Sequence, residues 1–256
     1  MTPRDALRAA ARAALDATLV LAFAPQCAAC ARPLEAPSSG CVCARCWSSV
    51  RSLPPPLCRN CGDALLSWRV MSTETGQCAR CRRRRSSLDG GRAAGEYEGA
   101  LRGIIHAFKY EGRRTLAAPL GRMMRSAGAD VLEGAHCAVP VPLHPWRRFR
   151  RGFNQAADLA AATGLPVVHA LWRTRATRPQ AGLTAAARRR NVRHAFRLSP
   201  LRSRRWLDRA LRNRIVLLVD DVQTTGATLD SCAQVLKEAG VREVRALTAA
   251  RARVRH

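Results

Sequence analysis

The chain has 256 residues, enough for one large domain and a small one, and its 47% hydrophobic content supports a buried core and excludes wholesale disorder. No run approaches about 18 uncharged apolar residues, so no membrane-spanning helix is expected. The formal net charge is +26, with only two lysines (Lys109 and Lys237) among 44 basic residues. An electropositive surface for phosphates or nucleic acid and an arginine-heavy coding bias account for that total equally well, so the placement of charge is more informative than its sum.

At the N-terminus, Arg4, Arg8 and Arg12 precede a mostly apolar stretch that ends Ala22-Phe23-Ala24, superficially like a secretory signal. Asp16 interrupts that stretch, and Pro25 would follow the cut. Leu7, Ala11, Ala14, Thr18 and Leu21 fall at helical spacing, so residues 1–24 are expected to form an ordinary amphipathic helix.

Residues 25–88 carry nine of the eleven cysteines. Four Cys-x-x-Cys pairs occur, and each turn aims two thiolates at one point, which is half of a tetrahedral metal site. Sixteen residues separate Cys61 from Cys78 and twelve separate Cys30 from Cys43, near zinc-ribbon spacing. Sequential pairing predicts two structural Zn2+ sites: Cys27, Cys30, Cys43 and Cys46; and Cys58, Cys61, Cys78 and Cys81. The region looks like one unit written twice, and Cys41 is surplus, an alternative to Cys43 that the pair geometry disfavours. A disulfide scaffold would need an oxidising compartment. The four regular Cys-x-x-Cys pairs make zinc the better reading, in a structural role because so small a region lacks a core and would need metal to fold, and the expected location is cytoplasmic. Cys137 and Cys232 read as buried free thiols without a function.

Residues 89–256 alternate short β-like runs with helical stretches, which argues for α/β architecture. Strands are expected over 137–141, 166–170, 214–219 and 244–248. Helices are expected over 99–110, 114–127, 154–163, 184–194 and 227–239, with Gly240 as a C-cap. Residues 202–214 read as a basic connector of uncertain structure.

The most informative segment runs from Ile215 to Thr228. A fully apolar run suggests a strand covered on both faces, as in a parallel sheet. Asp220 and Asp221 follow at its C-terminal end, where open α/β sheets place ligands. A hydroxyl- and glycine-rich turn then leads into a helix, a ready anion site with Thr224, Thr225 and Thr228 as added donors and Gly226 allowing close approach. Carboxylates beside phosphate donors suit a phosphorylated sugar with a metal. There is no Gly-x-x-x-x-Gly-Lys-[Ser/Thr] motif, which disfavours a P-loop nucleotidase.

Residues 219–228 resemble the phosphoribosylpyrophosphate signature of type I phosphoribosyltransferases. The wider order of motifs resembles the ComF family, competence-linked proteins with a zinc-ribbon start. Those motifs are the cysteine pairs, His106 to Gly112, Val139-Pro-Val-Pro142, Arg151-Gly-Phe-Asn154-Gln155, Thr177 to Gln180, and Arg188 with Asn191 and Phe196. The resemblance implies a phosphoribosyltransferase-like parallel sheet with helices on both faces over 89–256, preceded by a double zinc ribbon over 25–88. It implies that Asp220 and Asp221 hold the ribose hydroxyls, and that Val222, Thr224, Thr225, Gly226, Ala227 and Thr228 build the 5′-phosphate loop. Arg148, Arg151 and Gly152 would face the pyrophosphate, Lys109 is a further candidate there, and Mg2+ would accompany the ligand.

Arg147, Arg148, Arg150 and Arg151 cluster beside that stretch, interleaved with Trp146, Phe149 and Phe153. Hydrophobic anchoring is the favoured reading of these aromatics, with a base-stacking platform as the alternative. Residue 2 is threonine and the first cysteine belongs to a metal pair, so glutamine-dependent amidotransfer is not expected. The expected function is Mg-dependent binding of phosphoribosylpyrophosphate and transfer to a nitrogen acceptor, linked to DNA uptake. Competing readings are a nucleic-acid-binding competence protein, with single- or double-stranded DNA and uptake proteins as partners, and a non-catalytic regulator on the same fold.

Overall fold

A computed structural model describes residues 2–65, 76–83, 86–175 and 195–252, apart from the side chains of Arg147 and Arg150. The expected helix over 184–194 and the motif residues Thr177, Gln180, Arg188 and Asn191 lie outside the described residues. Contacts divide the chain into two compact units, Met1–Arg51 with Glu98–Leu116, and Ser52–Tyr97 with Ala117–His256.

The first unit begins with helix α1 (Pro3–Phe23), started by a capping box in which Thr2 and Asp5 satisfy each other's backbone N–H groups. The helical period is as expected, and its leucine stripe faces solvent: Leu7 is 74% and Leu21 91% exposed. What holds α1 is polar. Asp16 is its buried residue and accepts the Ser38 N–H at 2.7 Å, while Arg12 donates to the hydroxyls of Ser38 and Ser39, each at 3.1 Å. Short helix α2 (Ala44–Ser48) carries Cys46.

The unit's apolar core comes from a distant segment. An amphipathic helix further along the chain, Gly99–Tyr110, buries Leu101, Ile104, Ile105, Ala107 and Phe108. It approaches the first cysteine turn closely, since a Cβ on Gly103 would lie 3.0 Å from the Ala29 carbonyl oxygen.

The second unit opens with the other cysteine region and short helix α3 (Ala79–Arg83), then strand β1 (Gly90–Ala93). After the excursion through Gly99–Tyr110, which is α4, come α5 (Ala117–Ala127), α6 (Ala129–Leu132), β2 (Cys137–Pro140), α7 (Pro145–Arg151) and α8 (Gln155–Ala161). A small antiparallel pair, β3 (Leu171–Arg173) and β4 (Phe196–Leu198), precedes α9 (Arg204–Leu211), β5 (Ile215–Gln223), α10 (Ala227–Glu238) and β6 (Glu243–Arg251).

The main sheet is parallel throughout, in the order β1-β6-β5-β2. Alternation distributes its side chains to two faces. Val216, Leu218, Val244 and Ala246 join Leu229, Cys232 and Leu236 of α10 in one cluster. Leu247, of the other parity, packs under α5, where a Cβ on Gly128 would come within 2.5 Å of it. Ile215 to Val219 are all buried, the signature of a strand covered on both sides.

Three expected strands changed extent. The expected strand over 166–170 reduces to a single bridge between Val167 and Ala138, just beyond the outer edge of β2. Only Val168 and Ala170 of that segment are buried, and the regular pairing nearby starts at Leu171 with β4. Strands β5 and β6 both run further than their apolar cores, since Asp220, Val222 and Gln223 keep pairing with Thr248, Ala250 and Arg251. The basic connector 202–214 contains α9, whose Leu207 and Leu211 are buried and whose N-cap Ser203 accepts the Trp206 N–H.

Candidate functional site

The acidic pair sits on the final residues of β5, within its paired region rather than in the turn after it. Asp220 and Asp221 are half-buried, and the Asp220 carboxylate accepts the Asp221 N–H at 2.9 Å. Gly226 follows with φ +77°, a left-handed position that glycine occupies without strain, and it caps α10. It has no side chain to bond the first amides of α10, and Ala227 N–H reaches only the Thr225 hydroxyl at 3.4 Å. Thr224 to Thr228 are half-buried, so this glycine-capped helix start keeps donors within reach of solvent.

Two buried residues, Gln223 and Arg173, were not singled out in the sequence. Gln223 is 3% exposed, and its Oε1 has no hydrogen-bond partner among the described residues. A Cβ on Gly226 would stand 3.2 Å from its Nε2, so the turn rests on this carboxamide. Arg173 is buried against the Phe196 ring, 5.3 Å from its centroid. Cys232 is fully buried, and burial, then the negative charge of Asp220, pushes its thiol well above the ordinary range, with Arg173 opposing. Cys232 is therefore a neutral packing residue.

The expected pyrophosphate stretch starts beside the acidic pair, because Val141 N–H bonds the Val219 carbonyl at 2.9 Å. Asn154 ties its far end back: its side chain caps α8 and donates to the Val141 carbonyl at 3.2 Å. Between them, α7 ends at Gly152 with φ +73°. Arg151 leans on Gln155, its Nη1 lying 3.3 Å from Oε1.

Arg148 and Gly152 line a pocket of about 660 Å³ together with Phe149, His169, Trp172 and Arg202. His169 and Trp172 follow the Val167 bridge, on the edge of β2 opposite β5. Asp220, Asp221 and the threonine turn are not among the lining residues. Partial burial, then the charges of Arg148 and Arg202, lowers the His169 pKa. Trp146 and Phe149 are 62% and 83% exposed and stack on each other at 6.3 Å, whereas Phe153 is buried. Anchoring therefore describes Phe153 alone. Lys109 lies in the first unit, in the last turn of α4.

The thiols of Cys27, Cys30, Cys43 and Cys46 lie within 4.8 Å of one another, as do those of Cys58, Cys61, Cys78 and Cys81. Within the groups, the Cys27–Cys46, Cys30–Cys43 and Cys61–Cys78 sulfurs are 3.8, 3.9 and 3.8 Å apart. A tetrahedron with Zn–S near 2.3 Å has edges of about 3.8 Å, so both donor sets fit zinc. Cys41 is outside both groups.

The repeat seen in the sequence is repeated in bonding. Cys43 N–H points at the Cys27 sulfur and Cys78 N–H at the Cys58 sulfur, both at 3.3 Å. Cys27 N–H bonds Arg32 O and Cys58 N–H bonds Asp63 O, both at 2.8 Å. Burial opposes ionisation of Cys27, but the N–H groups of Cys43, Ala29 and Cys30 bring it down to about 6. Cys58 is driven far below its ordinary range by bonds from the thiols of Cys61, Cys78 and Cys81. Such thiolate-stabilising turns are ready metal ligands.

Among known proteins, the pattern of the phosphoribosyl transferase domain matches residues 165–255. Competence protein F of Haemophilus influenzae is 30% identical over 237 residues, covering 89% of this chain and 97% of that protein. DNA utilization protein YhgH of Escherichia coli K12 is 30% identical over 233 residues, covering 85% and 93%. Competence protein ComFC of Streptococcus pneumoniae is 26% identical over 211 residues, covering 82% and 88%.

Proposed function

Because the chain belongs to the competence protein F (ComF) family, we propose that its phosphoribosyltransferase-type domain binds phosphoribosylpyrophosphate with Mg2+ and transfers the phosphoribosyl group to a nitrogen acceptor, in the service of DNA uptake. The observation that carries this reading is the end of β5: two carboxylates on the strand, followed by a glycine-capped helix start with three threonines. Val222 and Ala227 contribute backbone to the same turn.

In this reading Thr224, Thr225, Gly226 and Thr228 take the 5′-phosphate, and Asp220 and Asp221 take the ribose hydroxyls. Arg151, Arg148 and the Gly152 backbone serve the pyrophosphate. The nucleophile's lone pair forms the new C–N bond at the anomeric carbon as the C–O bond to pyrophosphate breaks. The ring gains oxocarbenium character, which the nearby carboxylates ease, while arginines stabilise the negative charge growing on the leaving group. Magnesium, bound with the ligand's own oxygens, would offset the same charge.

Mass action supplies the test: phosphoribosylpyrophosphate with Mg2+ raises the unfolding midpoint of the wild type. Asp220→Asn/Asp221→Asn abolishes that rise. A wild type indifferent to the ligand overturns the reading.

A second reading rests on a different observation. Trp146 and Phe149 form an exposed aromatic pair, and Arg148 and Arg202 line the adjoining pocket. Aromatic faces with arginines fit single-stranded nucleic acid, and the names of the competence and DNA utilization relatives support that partner. Both readings suit thiol-bound zinc in the reducing cytoplasm. No described helix is long and apolar enough to cross a membrane.

A further inference from the structure

Arg251 is the last residue of β6 and is 2% exposed. Each nitrogen of its guanidinium has a partner in the second cysteine turn. Nε donates to the Asp63 carboxylate at 2.8 Å, Nη1 donates to the Cys61 carbonyl at 2.7 Å, and Nη2 lies 3.8 Å from the Cys61 sulfur. A buried cation is costly unless it is paired and hydrogen-bonded, so this position depends on the turn keeping its shape. Zinc held by the four thiolates would stabilise that shape, since metal binding at such a site contributes folding free energy.

The same residue's backbone reaches the candidate phosphate turn. Arg251 is the strand partner of Gln223, and the Ala252 N–H bonds the Gln223 carbonyl at 2.9 Å. Gln223 immediately precedes Thr224, and its carboxamide lies beneath Gly226. On the other side, Arg251 N–H bonds Gly95 O and Tyr97 N–H bonds Arg251 O. A continuous path therefore runs from the Cys61 thiolate through the guanidinium, along β6 to Gln223, and up to the phosphate turn. All of it lies within the second unit.

We propose that Arg251 is a positioning residue that couples zinc occupancy of the Cys58, Cys61, Cys78 and Cys81 site to the order of the 224–228 turn and so to its affinity for phosphate. The ligand half of this proposal rests on the reading of 224–228 as the phosphate loop; the structural half does not. Zinc at the second site holds Cys61, Cys61 holds Arg251, and Arg251 fixes the end of β5 on which the turn sits. Binding coupling of this kind is reciprocal, so phosphoribosylpyrophosphate also tightens zinc binding at the second site. The first cysteine site belongs to the other unit and is no part of this path, so its occupancy leaves the turn unchanged.

The experiment compares full-length wild type with Cys81→Ser, Cys30→Ser and Arg251→Lys by amide hydrogen exchange over 223–228, zinc content, and titration with phosphoribosylpyrophosphate and Mg2+. Arg251→Lys keeps a charge but loses the planar fork. The expected result is about tenfold faster exchange and about tenfold weaker ligand binding in Cys81→Ser, with no change in Cys30→Ser. Arg251→Lys reproduces the Cys81→Ser behaviour while retaining both zinc ions, an outcome that a role in metal retention alone does not give. If Arg251→Lys fails to fold, Asp63→Ala removes one guanidinium bond at a half-exposed carboxylate and shows the same trend more weakly. Unchanged exchange in the Arg251 and Asp63 variants, or equal effects from Cys30→Ser and Cys81→Ser, overturns the coupling. Coupled exchange in a wild type that binds no phosphoribosylpyrophosphate sustains the strut and overturns the ligand reading alone.

Discussion

Gly62 and Gly91 touch backbone to backbone: a Cβ on Gly62 would lie 2.5 Å from the Gly91 carbonyl oxygen. Gly62 also sits at φ +67°, the left-handed position that ends the Cys58–Cys61 turn. Gly62→Ala therefore meets strain and a clash against backbone that cannot yield. It should lower stability by about 2–4 kcal/mol, read as a shift in the denaturant midpoint with an unchanged slope. A neutral effect would mean that the turn and β1 are not packed in this way.

Helix α1 presents its leucines to solvent, while α4 buries Ile104 completely. Leu21→Glu should alter stability by no more than about 0.5 kcal/mol, whereas Ile104→Ala should cost about 2–5 kcal/mol. Thermal unfolding of the two variants side by side checks the assignment. A large loss for Leu21→Glu would place that stripe against a partner surface.

His169 supplies a pH signature. Partial burial, then Arg148 and Arg202, lowers its pKa below 6.5. With the folded-state value depressed, the neutral form is favoured, and the associated stability is fully present above 6.5 and lost as pH falls through the folded pKa. An NMR titration of the imidazole should find its midpoint below 6.5, and Arg148→Ala should move it upward. An anion bound in the pocket should move it upward as well.

The stacked Trp146 and Phe149 give the nucleic-acid reading a measurable consequence. Trp146→Ala/Phe149→Ala should weaken binding to a single-stranded oligonucleotide by about 1–3 kcal/mol per stacked base, while the salt dependence stays as in the wild type. Equal affinity of variant and wild type would remove this surface from the account.

Much of this was legible in the sequence because it depends on local pattern. The apolar run before Asp220 announced a two-face-covered strand, and the paired cysteines announced two closed tetrahedra. The Thr-Thr-Gly turn marked a glycine-capped helix start. What escaped depends on pairing between distant segments. Nothing adjacent to Gln223 or Arg251 shows that they are strand partners, and an arginine near the end of a chain with 44 basic residues carries no local mark of burial. The direction of α1 escaped for a related reason. Spacing gives a helix its period, but Asp16 and Arg12 choose the packed side through bonds to Ser38 and Ser39.

The central claim is that the end of β5 and the following turn hold phosphoribosylpyrophosphate, and titration calorimetry of zinc-loaded protein with that ligand and Mg2+ tests it most directly. The account predicts saturable binding by the wild type, weakened about a hundredfold or more in Asp220→Ala/Asp221→Ala. No heat of binding from well-folded, zinc-loaded wild type would contradict it.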